Sequence, residues 1–355
     1  MLSRASEAAY VDRRFDDAEA LAKAALIAAP FDVRALRVAG LALEQKGSRA
    51  AADEAVTLAG NWSLRDDPAH AWLINRRFEA GDVGGGLAHA DTLVRRREDV
   101  QPSVFDLFTK SAAEARGFSA LVGLIGAEPP WSADYFQTLY KTPSGRALAA
   151  NLAIALKERG KPLPKEEVSR LYYSLVTGNQ DAGVALVRSR LEPGAAERGV
   201  ANGNFEAEAS ALPFTWRLSD QPGLTSSIEP GPEGGRALWI TYDGIGAQGL
   251  AEQALTLAPG DYVLSASVRN DEQSEAKDLR WVVVCGAGGI ARVTIDEVKA
   301  RSAGRPGWSV LTRTFRVPEG CPLQWLWLEA PEQDRSRSRA AWFDDLSIRE
   351  GAEGS

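Results

Sequence analysis

The chain has 355 residues, more than one ordinary core accommodates, which predicts two domains. Apolar residues make up 45% and charged residues 25%, and 41 Lys and Arg against 48 Asp and Glu give a net charge of -7 with both signs interspersed, so nothing electrostatic points to nucleic acid. With two histidines, two cysteines and no apolar run of about 18 residues, the composition argues against a His-based hydrolase, a zinc site, a disulfide framework and a membrane span.

The first residues, Met1 to Glu7, lack the basic-then-apolar layout of a signal peptide. The expected compartment is therefore the cytoplasm, or the periplasm or cell envelope if an upstream signal or anchor has been removed. Internal repetition comes next. Gly47 and Gly81 lie 34 apart, each between two amphipathic segments. The same step links Ala18, Ala52 and Gly86, and again Ala25, Ala59 and Leu93. Phe15-Asp16-Asp17-Ala18, Ala22, Ala25 and Pro30 form one unit. Leu36, Ala39-Gly40, Leu43, Gly47, Ala52, Val56 and Ala59 form the next, and Leu73 and Gly81 mark a degenerate third. This pattern resembles the tetratricopeptide repeat, two antiparallel helices per unit. Small residues such as Ala18, Gly40 and Ala52 let helices approach closely, and Gly47 and Gly81 end a helix and turn the chain.

Residues 101–192 stay helical without that register. Pro102-Ser103 reads as a helix start, Gly117 as a break, and Pro129-Pro130 as an interruption. A helix over Arg146 to Arg159 ends at Gly160, another opens at Pro164, and a last one covers Asp181 to Leu191. These pairs are expected to cap an α-solenoid of helical hairpins over 1–192. By the repeat resemblance, Arg34, Arg37 and Asn75 point into its concave groove, either as contacts for a protein partner or as a solvated face.

Glu192-Pro193-Gly194 breaks the last helix, and 193–199 reads as a linker. From residue 200 the helix period gives way to short alternating segments, Tyr262 to Arg269 the cleanest of them. Trp281 to Cys285, Val310 to Val317, Leu323 to Glu329 and Trp342 to Ile348 are further strands, with turns at Pro259-Gly260, Glu319-Gly320 and Gly286 to Gly289. Such a run predicts an antiparallel β-sandwich over 200–350 with a tail at 351–355. The fold class is thus multidomain, α then β. Cys285 and Cys321 both fall in the sandwich, where two buried free thiols are the favoured reading and one bridge the alternative.

Asn202-Gly203-Asn204-Phe205-Glu206 with Trp216, then Leu257 to Ala266, then Trp342-Phe343-Asp344-Asp345-Leu346-Ser347-Ile348, is similar to the carbohydrate-binding modules of the family 4/9 type, which are galactose-binding-like jelly rolls. The resemblance implies a structural calcium, with Glu206 and Asp344 as candidate ligands. Backbone hydrogen bonding at a strand end is the alternative for both. It also makes Trp216 and Trp342 core residues. Trp325 and Trp327 share a strand face with Glu329, while Leu326 and Leu328 share the other. Two rings beside a carboxylate suit a sugar platform, extended by Trp281 and rimmed by Arg269; ordinary sandwich core is the even alternative.

The expectation is a non-catalytic scaffold, with the helical array holding a protein partner and the sandwich a polysaccharide or glycan. By analogy it would serve bacterial surface-polysaccharide assembly or export. A carboxylate-dependent glycoside hydrolase and a purely structural interaction module are the competing readings.

Overall fold

The computed structural model describes residues 1–194, 199–207, 212–243, 249–270, 279–285, 291–292, 301–302, 305–330 and 339–351. The turn expected at Gly286 to Gly289 lies outside them, as do most of the 193–199 linker and of the 351–355 tail. The chain divides into two compact units, Met1–Lys141 and Thr142–Ser355.

The first unit holds α1 (Leu2–Val11), α2 (Phe15–Ala28), α3 (Val33–Gln45), α4 (Arg49–Trp62), α5 (Asp67–Glu79), α6 (Val83–Val94), α7 (Gln101–Ser111), α8 (Ala115–Ile125) and α9 (Ser132–Leu139). The second helix of each early hairpin starts at residue 15, 49 or 83, which is the 34-residue step of the sequence. Asp32, Asp66 and Asp82 start α3, α5 and α6 by accepting the N–H of Ala35, Ala69 and Gly85. Gly47 and Gly81 turn the chain at φ of +85° and +75°, a region that costs any other residue strain. A Cβ on Gly40 would lie 2.8 Å from Val56 Cγ2, so α3 and α4 cross where only a hydrogen fits. Gly117 is not a break: it sits in the first turn of α8.

The two histidines of the chain meet in this unit. His70 Nδ1 and His89 Nδ1 are 3.1 Å apart, and His70 Nε2 lies 3.2 Å from the Ser63 carbonyl, so His70 holds its proton on Nε2 and accepts from His89. Burial, then the neighbouring His70 and Arg77, push His89 down to about 4; Asp82 acts in the opposite direction. Burial also lowers His70, against the Ser63 carbonyl, Asp66 and Asp67, and with Arg96. Between about 6.5 and about 4 the unfolded chain therefore binds a proton at His89 that the folded unit does not. Stability is full above this window and falls as pH drops through it. Urea unfolding followed from pH 7 to pH 4 should show a steeper loss in the native chain than in a His89→Gln variant; parallel curves would contradict the pairing.

The second unit begins with α10 (Pro143–Glu158), α11 (Lys165–Thr177) and α12 (Asp181–Leu191). Its strands follow: β1 (Arg217–Leu218), β2 (Asp220–Gln221), β3 (Leu224–Pro230), β4 (Arg236–Tyr242), β5 (Ala251–Leu255), β6 (Gly260–Asn270), β7 (Arg280–Cys285), β8 (Ala291–Arg292), β9 (Arg301–Ser302), β10 (Ser309–Val317), β11 (Gln324–Glu329) and β12 (Arg339–Glu350). They form a five-stranded sheet, β1-β5-β11-β7-β8, and a seven-stranded sheet, β2-β3-β4-β12-β6-β10-β9, with every described strand pairing antiparallel. One core lies between them, with Trp281, Val283, Leu326 and Leu328 from the first sheet against Leu238, Ile240, Leu264 and Phe343 from the second.

The division between units falls well ahead of the linker read at 193–199, because α10 to α12 group with the sandwich. Arg188 of α12, 2% exposed, stacks its guanidinium 3.9 Å over the Phe214 ring and donates to Thr256 Oγ1 at 3.1 Å. Tyr172 of α11 meets the same Phe214 ring edge-on at 4.9 Å. Such a buried cation is costly to move once its partners are removed, so these two helices are anchored to the sheets. The cysteines are not free thiols: Cys285 and Cys321 form a disulfide with Cα atoms 5.7 Å apart, an ordinary span. Among the described residues no helix is long and apolar enough to cross a membrane.

Candidate functional site

Alternation in β4 buries Leu238, Ile240 and Tyr242 and turns Trp239 and Thr241 to the outer face of the seven-stranded sheet. In β12, Ala341 and Phe343 are buried, so Trp342 faces out. Trp342 stands directly opposite Trp239 on β4 and Arg269 on β6. The two indoles lie 4.5 Å apart between ring centroids at 39°, both half-buried. Trp342 is therefore not a core residue, which corrects the expectation from its motif.

The reason is a bulge. Register shifts between Asp344 and Ser347, with Asp345 at φ +52°. Asp344 thereby stays on the outer face with Trp342, while Leu346 and Ile348 return to the core. Arg305 donates to Asp344 Oδ2 at 2.9 Å, reaches Asp345 as well, and lies 4.6 Å over the Trp308 ring. Burial pushes the Asp344 carboxyl above its ordinary range, and the Arg305 hydrogen bond pulls it partly back. Arg269 pairs with Glu233 at 3.5 Å, and Ser227 donates to Glu229. The face thus combines two packed indoles with hydroxyls and charges of both signs. Indole faces stack on apolar C–H surfaces, and the surrounding groups can exchange hydrogen bonds with hydroxyls.

Trp325 and Trp327 do share the outer face of the five-stranded sheet, half-buried, with Leu326 and Leu328 in the core. The other members of that platform do not join them. Trp281 stands opposite Leu328 and shares its inward face, 1% exposed against Trp216 and Phe343. Arg269 belongs to the other sheet. Glu329 follows the tryptophans on β11 but is 8% exposed and held by Arg280 at 2.7 Å.

The calcium ligands do not gather. Glu206 accepts the Arg236 N–H at 2.5 Å, and Asp344 is held by Arg305. Among the described residues no three His, Cys, Asp or Glu side chains are placed to hold a metal ion. Calcium takes about six to eight oxygens, and a guanidinium beside Asp344 opposes a second cation, so this donor set does not suit it. In the helical unit, Arg34 and Arg37 converge on Glu7 at 3.1 and 2.6 Å, lining a cavity of about 550 Å³ with Asp32 and Asp66. Arg37, 5% exposed and also 2.7 Å from Asp66, is a buried ion pair rather than a presented contact. Asn75 is exposed further along α5.

No family model and no curated protein matches the chain. Solved structures match over its β part. The xylan-binding CBM22-1 domain of Paenibacillus barcinonensis Xyn10C is 19% identical over 44% of this chain and 96% of its own, with a TM-score of 0.29. TmCBM61 in complex with β-1,4-galactotriose is 15% identical over 43% and 99%, with a TM-score of 0.28. A cyclase from Fischerella sp. TAU is 18% identical over 44% and 99%, with a TM-score of 0.29.

Proposed function

We propose that the sandwich binds a glycan, without turning it over, on the outer face of the seven-stranded sheet. The observation that carries this is the Trp239–Trp342 pair, two indoles 4.5 Å apart on a face otherwise lined by Ser, Thr, Asp, Glu and Arg side chains. A purely packing pair would be covered by apolar neighbours; this one is half-exposed among polar groups. An open face of this kind suits an internal stretch of a sugar chain. Titration calorimetry of the full chain against β-1,4-linked xylo-, gluco- and galacto-oligosaccharides is the test. Trp342→Ala and Trp239→Ala should each weaken binding at least about tenfold, the equivalent of 1.4 kcal/mol, with the melting temperature little changed. Unaltered binding in both variants would defeat the assignment and leave an interaction module without a sugar site here.

Burial of Asp344 on the same face favours a second reading, a glycosidase, while its ion pair with Arg305 opposes the protonated form that a general acid requires. Release of reducing sugar by the full chain, lost in Asp344→Asn, would favour it over binding alone.

For the helical unit we keep the resemblance to tetratricopeptide repeats as a proposal, supported by the 34-residue step of its helices. Its role would be to hold a protein partner near Arg34 and the charged cavity, in a scaffold for bacterial surface-polysaccharide assembly or export. The disulfide supports an oxidising compartment such as the periplasm or cell envelope.

A further inference from the structure

A second cavity, of about 260 Å³, lies between α11 and the outer face of the five-stranded sheet. One wall is helical: Ser169, Tyr173 and Val176 lie on one face of α11 at steps of four and three. The other is the sheet, where Trp325 of β11 shares the floor with Arg217 of β1 and Glu252 of β5, themselves paired in register and as an ion pair. Leu212 and Pro213 close one end. The walls hold their spacing, because Tyr172 of α11 packs edge-on against Phe214, the residue after Pro213 at that end.

We infer that this cavity is a separate subsite that receives the terminal ring of a glycan chain. Its volume falls just under the roughly 300 Å³ at which pockets for drug-sized ligands begin, so one ring fits and a chain does not. Trp325, opposite only Ala254 on one side and Val284 on the other, has no bulky cross-strand neighbour over its indole. Tyr173 is 69% exposed, an uncovered aromatic ring on the facing helix. Two aromatic rings therefore offer apolar faces, while the Arg217–Glu252 pair and the Ser169 hydroxyl supply donors and acceptors at the edge. A pyranose has that division, apolar C–H faces and a belt of hydroxyls. The inference rests on the glycan-binding reading of the protein, but on residues that the open Trp239–Trp342 face does not use.

The experiment is calorimetry on the full chain with xylohexaose, β-1,4-galactotriose, and the methyl glycosides of xylose and galactose as single-ring probes. Trp342→Ala should leave a residual binding event that a methyl glycoside competes for. Adding Trp325→Ala or Tyr173→Ala should weaken that event at least tenfold. Tyr173→Ala guards against misfolding, since so exposed a ring contributes little to packing. Loss of all binding in Trp342→Ala alone would overturn the second subsite and leave the open face standing. Loss of all binding in Tyr173→Ala, with Trp342→Ala unaffected, would keep the cavity and refute the open face. No binding of any probe by the native chain would sink both. Binding of phenol or indole, and of no sugar, in the Trp342→Ala variant would also overturn the inference, making the cavity an apolar one.

Discussion

Replacing Trp281 with alanine should cost the sandwich roughly 3–5 kcal/mol, the range for a large buried aromatic truncated in a packed core. Trp281 is 1% exposed. Its ring sits 5.7 Å from Trp216 and 5.6 Å from Phe343, edge-on to the latter, and so joins the two sheets across the core. Alanine would leave a cavity between Phe343, whose strand is paired on both sides, and Trp216, which donates to the Asn202 carbonyl at 3.0 Å, so little of it can collapse. Trp327→Ala is the control. Trp327 lies two residues from Trp325 on the outer face and is half-buried, so its truncation should cost clearly less. Urea unfolding of the three proteins decides the matter through their midpoints at equal slope. A loss under about 1 kcal/mol at Trp281 would mean that this ring does not hold the core together, contrary to its placement.

The faces of these tryptophans were legible in sequence where polarity alternates and illegible where it does not. β11 reads Gln324-Trp325-Leu326-Trp327-Leu328-Glu329, and its parity placed both Trp325 and Trp327 on the side away from the leucines, as found. β7 reads Arg280-Trp281-Val282-Val283-Val284, apolar from Trp281 onward, and both Val282 and Val283 are buried. Nothing in such a run states which face Trp281 takes; its pairing partner Leu328 does. β12 failed for a different reason. Counting by twos from Leu346 and Ile348 puts Trp342 and Asp344 inside, and one bulge reverses that parity. The missed residue Trp239 did carry a signal, since Leu238, Ile240 and Thr241 around it alternate, but no motif drew attention to that strand.

Long-range facts were illegible for a general reason. Which strands share a sheet follows from pairing between distant segments, and this is what separates Arg269 of β6 from Trp325 of β11. The grouping of α11 and α12 with the sandwich likewise depends on Arg188 finding Phe214 and Thr256, a contact with no local signature. By contrast the early helical hairpins carry local signals. Their stops are local: Gly47 and Gly81 supply the left-handed turn, and Asp32, Asp66 and Asp82 the caps. Asp181–Leu191 came out with the bounds read from sequence, between a Gly178-Asn179 turn and Glu192-Pro193-Gly194.

Opening the Cys285–Cys321 disulfide should destabilise the sandwich by about 4 kcal/mol, the chain-entropy value for a closed loop of this size. The bridged residues are 36 apart in sequence and join the end of β7 to the approach of β11. Those strands are neighbours, with Cys285 itself opposite Gln324, so the native state already holds the two ends together without the bond. Gln324 adds to this: buried at 1%, it accepts the Leu257 N–H at 2.8 Å and donates to the Leu257 and Cys321 carbonyls. The folded geometry should therefore survive reduction nearly unchanged, and the loss should come from the unfolded chain, which regains the freedom of the loop. Two measurements separate that account from a merely local one. The double variant Cys285→Ala, Cys321→Ala should keep the near-ultraviolet dichroism of the native protein, while its urea midpoint falls by an amount matching that loss. Equal midpoints for oxidised and reduced protein would remove the stabilising role, and two titratable thiols in protein purified without reductant would remove the bond itself.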